Sequence, residues 1–207
     1  MRRAFVLGIA GGTGSGKSRL ARRVAGALGS RAALVLLDWY YRDRSGVRGA
    51  ARRRLNFDHP RAIEGRLAAR HLRALARGEA VLAPRYDYSR HRRLARGQAV
   101  APAPVVVVEG LFALADPAVR RQLDHGIYLS EAADVRLARR VRRDVVERGI
   151  SVEETLRLYF HCVRPMHERF VEPSRRHADE AWEGGGRPGA VRRLLARLRR
   201  EARRRAT

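Results

Sequence analysis

The chain has 207 residues, 45% of them hydrophobic, and a formal charge of +24. Its length suits one domain with a sizeable core, no apolar run is long enough to cross a bilayer, and a single cysteine, Cys162, excludes a disulfide framework or a cysteine-based metal site. The charge admits nucleic acid, phosphorylated ligands or an arginine-biased genome as its cause. The basic residues are spread along the whole chain, so nucleic acid is not the expected partner.

Phe5–Ala10 is a short apolar run that ends in glycines and predicts a buried strand. It is too short for a signal-peptide core, so a cytoplasmic protein without a membrane partner is expected. Lys17 to about Leu28 has helical spacing, with Leu20, Val24, Ala27 and Leu28 on one face. Ala33–Leu37 predicts a second strand, ending at Asp38, and Arg42–Arg54, charged and glycine-containing, predicts a mobile loop. Arg61–Arg77 reads as helix. Val105–Val108, after Pro102 and Pro104, is the clearest buried strand and runs into Glu109-Gly110. Gly126–Leu129 is a fourth candidate strand, followed by a long arginine-rich helix over Glu131–Arg148. Ser151-Val152-Glu153-Glu154 is a capping box that opens a helix to Val163. A last strand is expected near Glu180–Trp182. Gly184–Gly186 then break the chain before a basic helix, Ala190–Arg205, whose leucine stripe favours an ordinary packed terminal helix over a nucleic-acid contact.

Strands alternating with helices imply an α/β fold, a parallel sheet with helices on both faces. Ligands of such sheets bind at the carboxyl ends of strands. The glycine loop, Asp38 and Glu109 all fall at such ends, which points to one site. Gly11-Gly12-Thr13-Gly14-Ser15-Gly16-Lys17-Ser18 matches G-x-x-x-x-G-K-[ST] in full, between a predicted strand and a predicted helix. Glycines let the backbone wrap phosphates with N–H groups inward, and the helix adds its positive end. This predicts a P-loop NTPase fold that binds ATP, with GTP an alternative donor, and Mg2+. Lys17 would reach the β- and γ-phosphates, and Ser18 would ligate the metal. Lys17 is the only lysine among 45 basic residues. A compact ammonium fits between phosphate oxygens where a planar guanidinium is too bulky.

Asp38 suits a base towards an acceptor hydroxyl or a magnesium partner, against the plainer reading of a turn aspartate. Glu109, straight after four valines, occupies the place of an acid that holds magnesium through water. Arg136, Arg139, Arg140 and Arg143 share one predicted helix at three- and four-residue spacings. They make either an arginine face over the phosphates or a solvated basic face. The histidines show no ligand-like cluster.

At these residues the chain resembles the uridine–cytidine kinase family, within the wider group that includes phosphoribulokinases and pantothenate kinases. The likeness runs from Gly8 to about Asp179. The P-loop is similar to the family's, with Gly14 where alanine is usual. Asp38-Trp39-Tyr40-Tyr41 looks like the family's Asp-x-Phe-Tyr, and Asn56-Phe57-Asp58-His59-Pro60 is a family signature. Pro84-Arg85-Tyr86-Asp87-Tyr88 with His91 resembles the base-recognition segment, and Arg136–Arg148 resembles the lid helix. Val163–Met166 and Glu172–Ser174 continue the pattern.

The resemblance implies a single kinase domain over residues 1–207, with a nucleoside-binding insertion at about 39–100 and lid helices at about 131–172. It implies Asp38 as general base, aided by Lys17, Arg140 and Arg143. Acceptor contacts are expected from Asp38, Tyr41, Asp58 (ribose), Tyr86 and His91 (pyrimidine) and Arg140, and metal contacts from Ser18, Asp38 and Glu109. The implied reaction is phosphorylation of the 5′-hydroxyl of uridine or cytidine. A different small hydroxyl acceptor and an ATP-regulated nucleic-acid-binding protein are the alternatives, and the oligomeric state is open, a homo-oligomer included. Two departures bear on the acceptor. Ile150 stands where the family usually has arginine, and Leu158 where it has glutamine.

Overall fold

The computed structural model describes residues 3–49, 55–88, 90 and 92–206. Residues 50–54 of the loop expected over Arg42–Arg54, and His91, lie outside the described residues. Strand β1 (Phe5–Gly11) is buried throughout and leads through the P-loop into α1 (Lys17–Leu28). β2 (Ala32–Leu36) ends in a 3-10 turn, Leu37–Tyr40, that carries Asp38. A further 3-10 turn, Pro60–Ala62, precedes α2 (Gly65–Ala76). The helix expected from Arg61 therefore starts later, because Pro60 opens a separate turn whose Arg61 N–H is capped by the His59 side chain.

Four short strands follow: β3 (Val81–Ala83), β4 (Tyr86–Asp87), β5 (Arg92–Arg93) and β6 (Gln98–Val100). They pair antiparallel as β3–β6 and β4–β5. Next come β7 (Val105–Glu109), α3 (Pro117–Arg120), β8 (His125–Ser130), α4 (Ala133–Arg148) and α5 (Val152–Leu158). Ser151 Oγ accepts the Glu154 N–H at 3.1 Å, as the capping box requires. The helix expected to run to Val163 changes at Leu158. It continues as π turns, Tyr159–Val163 and His167–Val171, on either side of α6 (Arg164–Met166). Each π turn stands just ahead of a proline, Pro165 or Pro173, which has no N–H for the regular ladder and crowds the carbonyl four residues back. β9 (Glu180–Glu183) and α7 (Pro188–Ala206) complete the described fold.

The main sheet is parallel, in the order β2-β7-β1-β8-β9. Alternation along the strands sends side chains to opposite faces. Val6, Ala10, Val35, Val106, Val108 and Tyr128 pack with Ala68, Leu72 and Leu75 of α2. Leu7, Ile9, Val107, Ile127 and Leu129 pack with α1 and with the Val191–Leu194–Leu198–Ala202 stripe of α7. The terminal helix is thus an ordinary core element, as its leucine spacing predicts. Among the described residues no helix is long and apolar enough to cross a membrane.

In register, Glu109 at the end of β7 lies between Ile9 of β1 and Leu36 of β2. The P-loop, the Asp38 turn and Glu109 therefore meet at one end of the sheet. Over that end lies α4. A Cβ added at Gly14 would stand 2.4 Å from the Arg136 carbonyl oxygen and 2.9 Å from its Cα, and Gly14 has φ +76. The glycine lets α4 rest directly on the loop. Gly14→Ala should cost roughly 1–2 kcal/mol of stability from the left-handed backbone alone, and push α4 outward. Denaturant unfolding checks it; a midpoint equal to wild type would mean that neither the left-handed backbone nor the contact with α4 carries a cost.

Candidate active site

The P-loop takes its shape from glycines at positive φ, with Gly14 at 76° and Gly16 at 90°. Gly16 caps α1 without a side-chain hydrogen bond, and the first turn carries no acid. The N–H groups at that helix end are left to an incoming anion, which the helix dipole also favours. Lys17 and Ser18 open the helix. Ser18 Oγ donates to Glu109 Oε1 at 2.9 Å, which ties the loop to the end of β7.

Glu109 is only 4% exposed, and among the described residues its Oε2 has no hydrogen-bond partner. Burial pushes its carboxyl up and the Asp38 charge adds to this, while Lys17, the Ser18 hydroxyl and Arg22 pull it back. Such a carboxylate has room for a cation beside Ser18. Among the described residues no group of three or more His, Cys, Asp or Glu could hold a metal. A divalent ion at Ser18, Asp38 and Glu109 would therefore need phosphate and water oxygens to complete its shell, the usual habit of magnesium.

Asp38, half-buried in its turn, acts on groups on two sides. Its charge raises Glu109 on one side and Tyr41, Asp58 and Tyr88 on the other. Asn56 Oδ1 accepts the Asp58 N–H at 3.0 Å, a local turn that sets this carboxylate. Burial pushes Asp58 up, against the pull of Arg140, Lys17 and Arg143. Lys17 thus lies in the field of both Asp58 and Glu109.

The four α4 arginines divide: Arg136 and Arg140 are buried, Arg143 is half-buried and Arg139 is exposed. Arg136 and Arg140 are 6% and 9% exposed. Arg136 Nε donates to the Glu131 carbonyl at 3.1 Å, and its Nη1 would stand 2.7 Å from a Cβ at Gly12. Arg139 donates to the Gly14 carbonyl at 3.1 Å. Arg140 Nη1 lies 3.5 Å from Thr13 Oγ1. Arg143 donates to Asp144.

Beyond Asp38 the rings of Tyr41, Phe57, Tyr86 and Tyr88 cluster, with the Tyr41–Phe57, Tyr41–Tyr86 and Tyr86–Tyr88 centroids 5.4–5.5 Å apart. The Tyr86 hydroxyl is buried without a partner among the described residues, and burial pushes it up to about 12, so it remains a proton donor. His59 of the same signature stacks edge-on against Phe170 at 5.0 Å, which joins this pocket to the second π turn.

Sequence reasoning missed Tyr88, Arg148 and Asp144. Tyr88 is 41% exposed, with the Arg148 guanidinium 5.7 Å from its ring centre. Its period-two spacing from Tyr86 was the available signal. Ile150 and Leu158 are half-buried, and the Ile150 N–H closes the end of α4 on the Asp144 carbonyl at 3.0 Å.

The site combines a phosphate cradle, a metal-compatible acid, a carboxylate at the junction and an aromatic pocket. The chain matches the Phosphoribulokinase / Uridine kinase family over residues 6–185. It is 43% identical over 198 residues to a uridine kinase of Halobacterium salinarum, covering 96% of this chain and 88% of that one. It is 42% identical over 196 residues to a uridine kinase of Chloroflexus aurantiacus, with 94% of each covered. Phosphoribulokinase from Rhodobacter spheroides has the same fold, with a TM-score of 0.65 and 14% identity over 88% of this chain and 71% of that one. A family match from the first strand to the glycines after the last, together with full-length relatives above two-fifths identity, makes the chain a kinase of the Phosphoribulokinase / Uridine kinase family.

Proposed function

We propose that the chain transfers the γ-phosphoryl group of ATP to the 5′-hydroxyl of uridine or cytidine, giving the nucleoside monophosphate. The observation that carries this reading is the Asp38 turn, which begins as β2 ends beside Glu109 and closes on Tyr41 of the ring cluster. From there the Asp38 charge raises Glu109 on the P-loop side and Tyr41 and Tyr88 in the aromatic pocket. Flat rings suit a nucleobase, and Asp58 on the same side suits a pair of sugar hydroxyls. The names of the full-length relatives point the same way.

Asp38 accepts the proton of the acceptor hydroxyl as its oxygen bonds to the γ-phosphorus, and the β–γ bridging oxygen leaves with its electron pair. Lys17 and the P-loop N–H groups hold the phosphates. Arg140 and Arg143 supply positive charge where it builds up on the transferring group. Magnesium, where bound beside Ser18 and Glu109, neutralises phosphate charge. Tyr86 offers its unpartnered hydroxyl to the base, and the resemblance adds His91.

Asp38→Asn keeps the shape but removes the acceptor of the proton. Uridine-dependent formation of ADP should fall about 10²–10⁴-fold in kcat, with KM for ATP little changed. A loss below about tenfold would return Asp38 to a turn role and take the main support from this reading.

Asp58→Asn gives a second test. Burial raises the folded pKa of Asp58 above its unfolded value. Folding therefore favours the protonated form, and stability falls as pH rises from the ordinary carboxylate range through the raised value. Above that window the ligand-free protein bears the cost in full. The variant should melt higher than wild type while its KM for uridine rises at least about tenfold through a lost charged hydrogen bond. A lower melting point with unchanged KM would make Asp58 a purely structural acid.

A second reading, a different small alcohol as acceptor, is favoured by Ile150 and Leu158 alone. Ile150→Arg with Leu158→Gln should improve KM for uridine about tenfold if these positions face the nucleoside, since a charged hydrogen bond contributes roughly 1.5–3 kcal/mol. An unchanged or worse KM would favour the other acceptor.

A further inference from the structure

Asp144 carries an arrangement that the reaction scheme above does not use. Its side chain is 1% exposed, and three guanidiniums surround its carboxylate. Arg143 donates through Nε at 3.0 Å and Nη2 at 2.9 Å to Oδ1. Arg148 Nη1 stands 3.2 Å from the same oxygen, and Arg140 Nε stands 3.1 Å from Oδ2. The Arg140 contact is close but off the hydrogen-bond direction, an ion pair and not an aligned bond. An exposed pair four residues apart on a helix contributes little. One buried anion among three cations differs, because its removal leaves the buried Arg140 facing the partly exposed Arg143 and Arg148 with nothing to offset their like charge.

The partners reach in two directions. Arg140 extends to Thr13 of the P-loop, and Arg140 and Arg143 both act on Asp58. Arg148 lies over Tyr88 and acts on Tyr41 in the aromatic pocket. Among the described residues Asp144 is therefore the carboxylate that touches both the phosphoryl-facing and the pocket-facing arginines. Its own backbone is fixed as well, since its carbonyl accepts the N–H groups of Gly149 and Ile150 at the end of α4.

We propose that Asp144 is a positioning residue that holds Arg140 and Arg143 ready for the transferring phosphoryl group and Arg148 against the acceptor pocket, so that one buried carboxylate keeps the two substrate sites in register. It touches no substrate itself. Donors aimed in advance at developing charge cost no reorganisation during reaction, whereas long arginine side chains that repel one another must be ordered each time. The proposal rests on the kinase reading above. It predicts that loss of Asp144 harms the transition state far more than the binding of nucleotide.

The test uses the full chain and calorimetric titration with ADP and magnesium, without and with aluminium fluoride as a mimic of the transferring group. For Asp144→Asn, the Kd for ADP should stay within about threefold of wild type, while affinity for ADP with aluminium fluoride should fall at least about tenfold. KM for uridine should rise as in Arg148→Met, and the double variant should be no worse than the more impaired single one, because both act through one cluster. Arg148→Met leaves Asp144 two partners and serves equally if Asp144→Asn does not fold. It should weaken the mimic and uridine together while sparing ADP. Equal affinity for the mimic in variants and wild type would overturn the proposal. So would a parallel loss of ADP and mimic binding with a lowered melting point, which marks a purely structural ion cluster. Failure of the wild type to bind ADP at all would instead overturn the kinase reading itself.

Discussion

The burial of two acids, Asp58 and Glu109, within the fields of both Asp38 and Lys17 is the constraint on which the rest of this site depends. Asp58 and Glu109 are both pushed up by burial and by the charge of Asp38, and both are drawn back by Lys17. Phosphates bound on the P-loop would add more negative charge to the same space. The fold answers from the opposite side, with the buried Arg136 and Arg140 and the exposed Arg139 of α4 laid against the loop. A site of this kind is expensive to keep in the ligand-free protein, which is how functional acids and bases generally stand out from structural ones.

That balance depends on close approach. The loop lacks side chains at Gly12 and Gly14, so the helix and its arginines rest on bare backbone. Glu109 owes its position to parallel register, between Ile9 and Leu36, and Asp38 to a turn that begins as β2 ends. The sheet thus delivers a phosphate loop and two carboxylates to one end from three separate stretches of sequence. The strands stay rigid because both faces are packed, one by α2 and the other by α1 and α7.

Much of this was legible beforehand, for identifiable reasons. The P-loop could be read because phosphate chemistry restricts which residues can stand there. The core strands could be read because two-sided burial demands unbroken apolar runs such as Val105–Val108. Asp58 came only from resemblance, since its turn has no periodicity to betray it. Asp144 was hidden because an acid among arginines on a helix reads as a surface ion pair. Its burial comes from how α4 packs, which is a tertiary fact. The strands β3 to β6 are too short for alternation to register. The extent of the helix after Ser151 was misjudged because Pro165 acts on the turn ahead of it, which widens and carries the helical path onward.

In the proposed reaction one carboxylate at the end of β2, Asp38, serves a phosphate cradle on one side and a nucleoside pocket on the other. The most direct measurement is a single-tube competition. The protein receives ATP labelled in the γ-phosphate, with magnesium and equal concentrations of uridine, cytidine, ribulose 5-phosphate and pantothenate, and the labelled products are separated and identified. Label is expected in uridine or cytidine 5′-monophosphate, well ahead of any other product. Label chiefly in a sugar bisphosphate or in a phosphorylated pantothenate would contradict it.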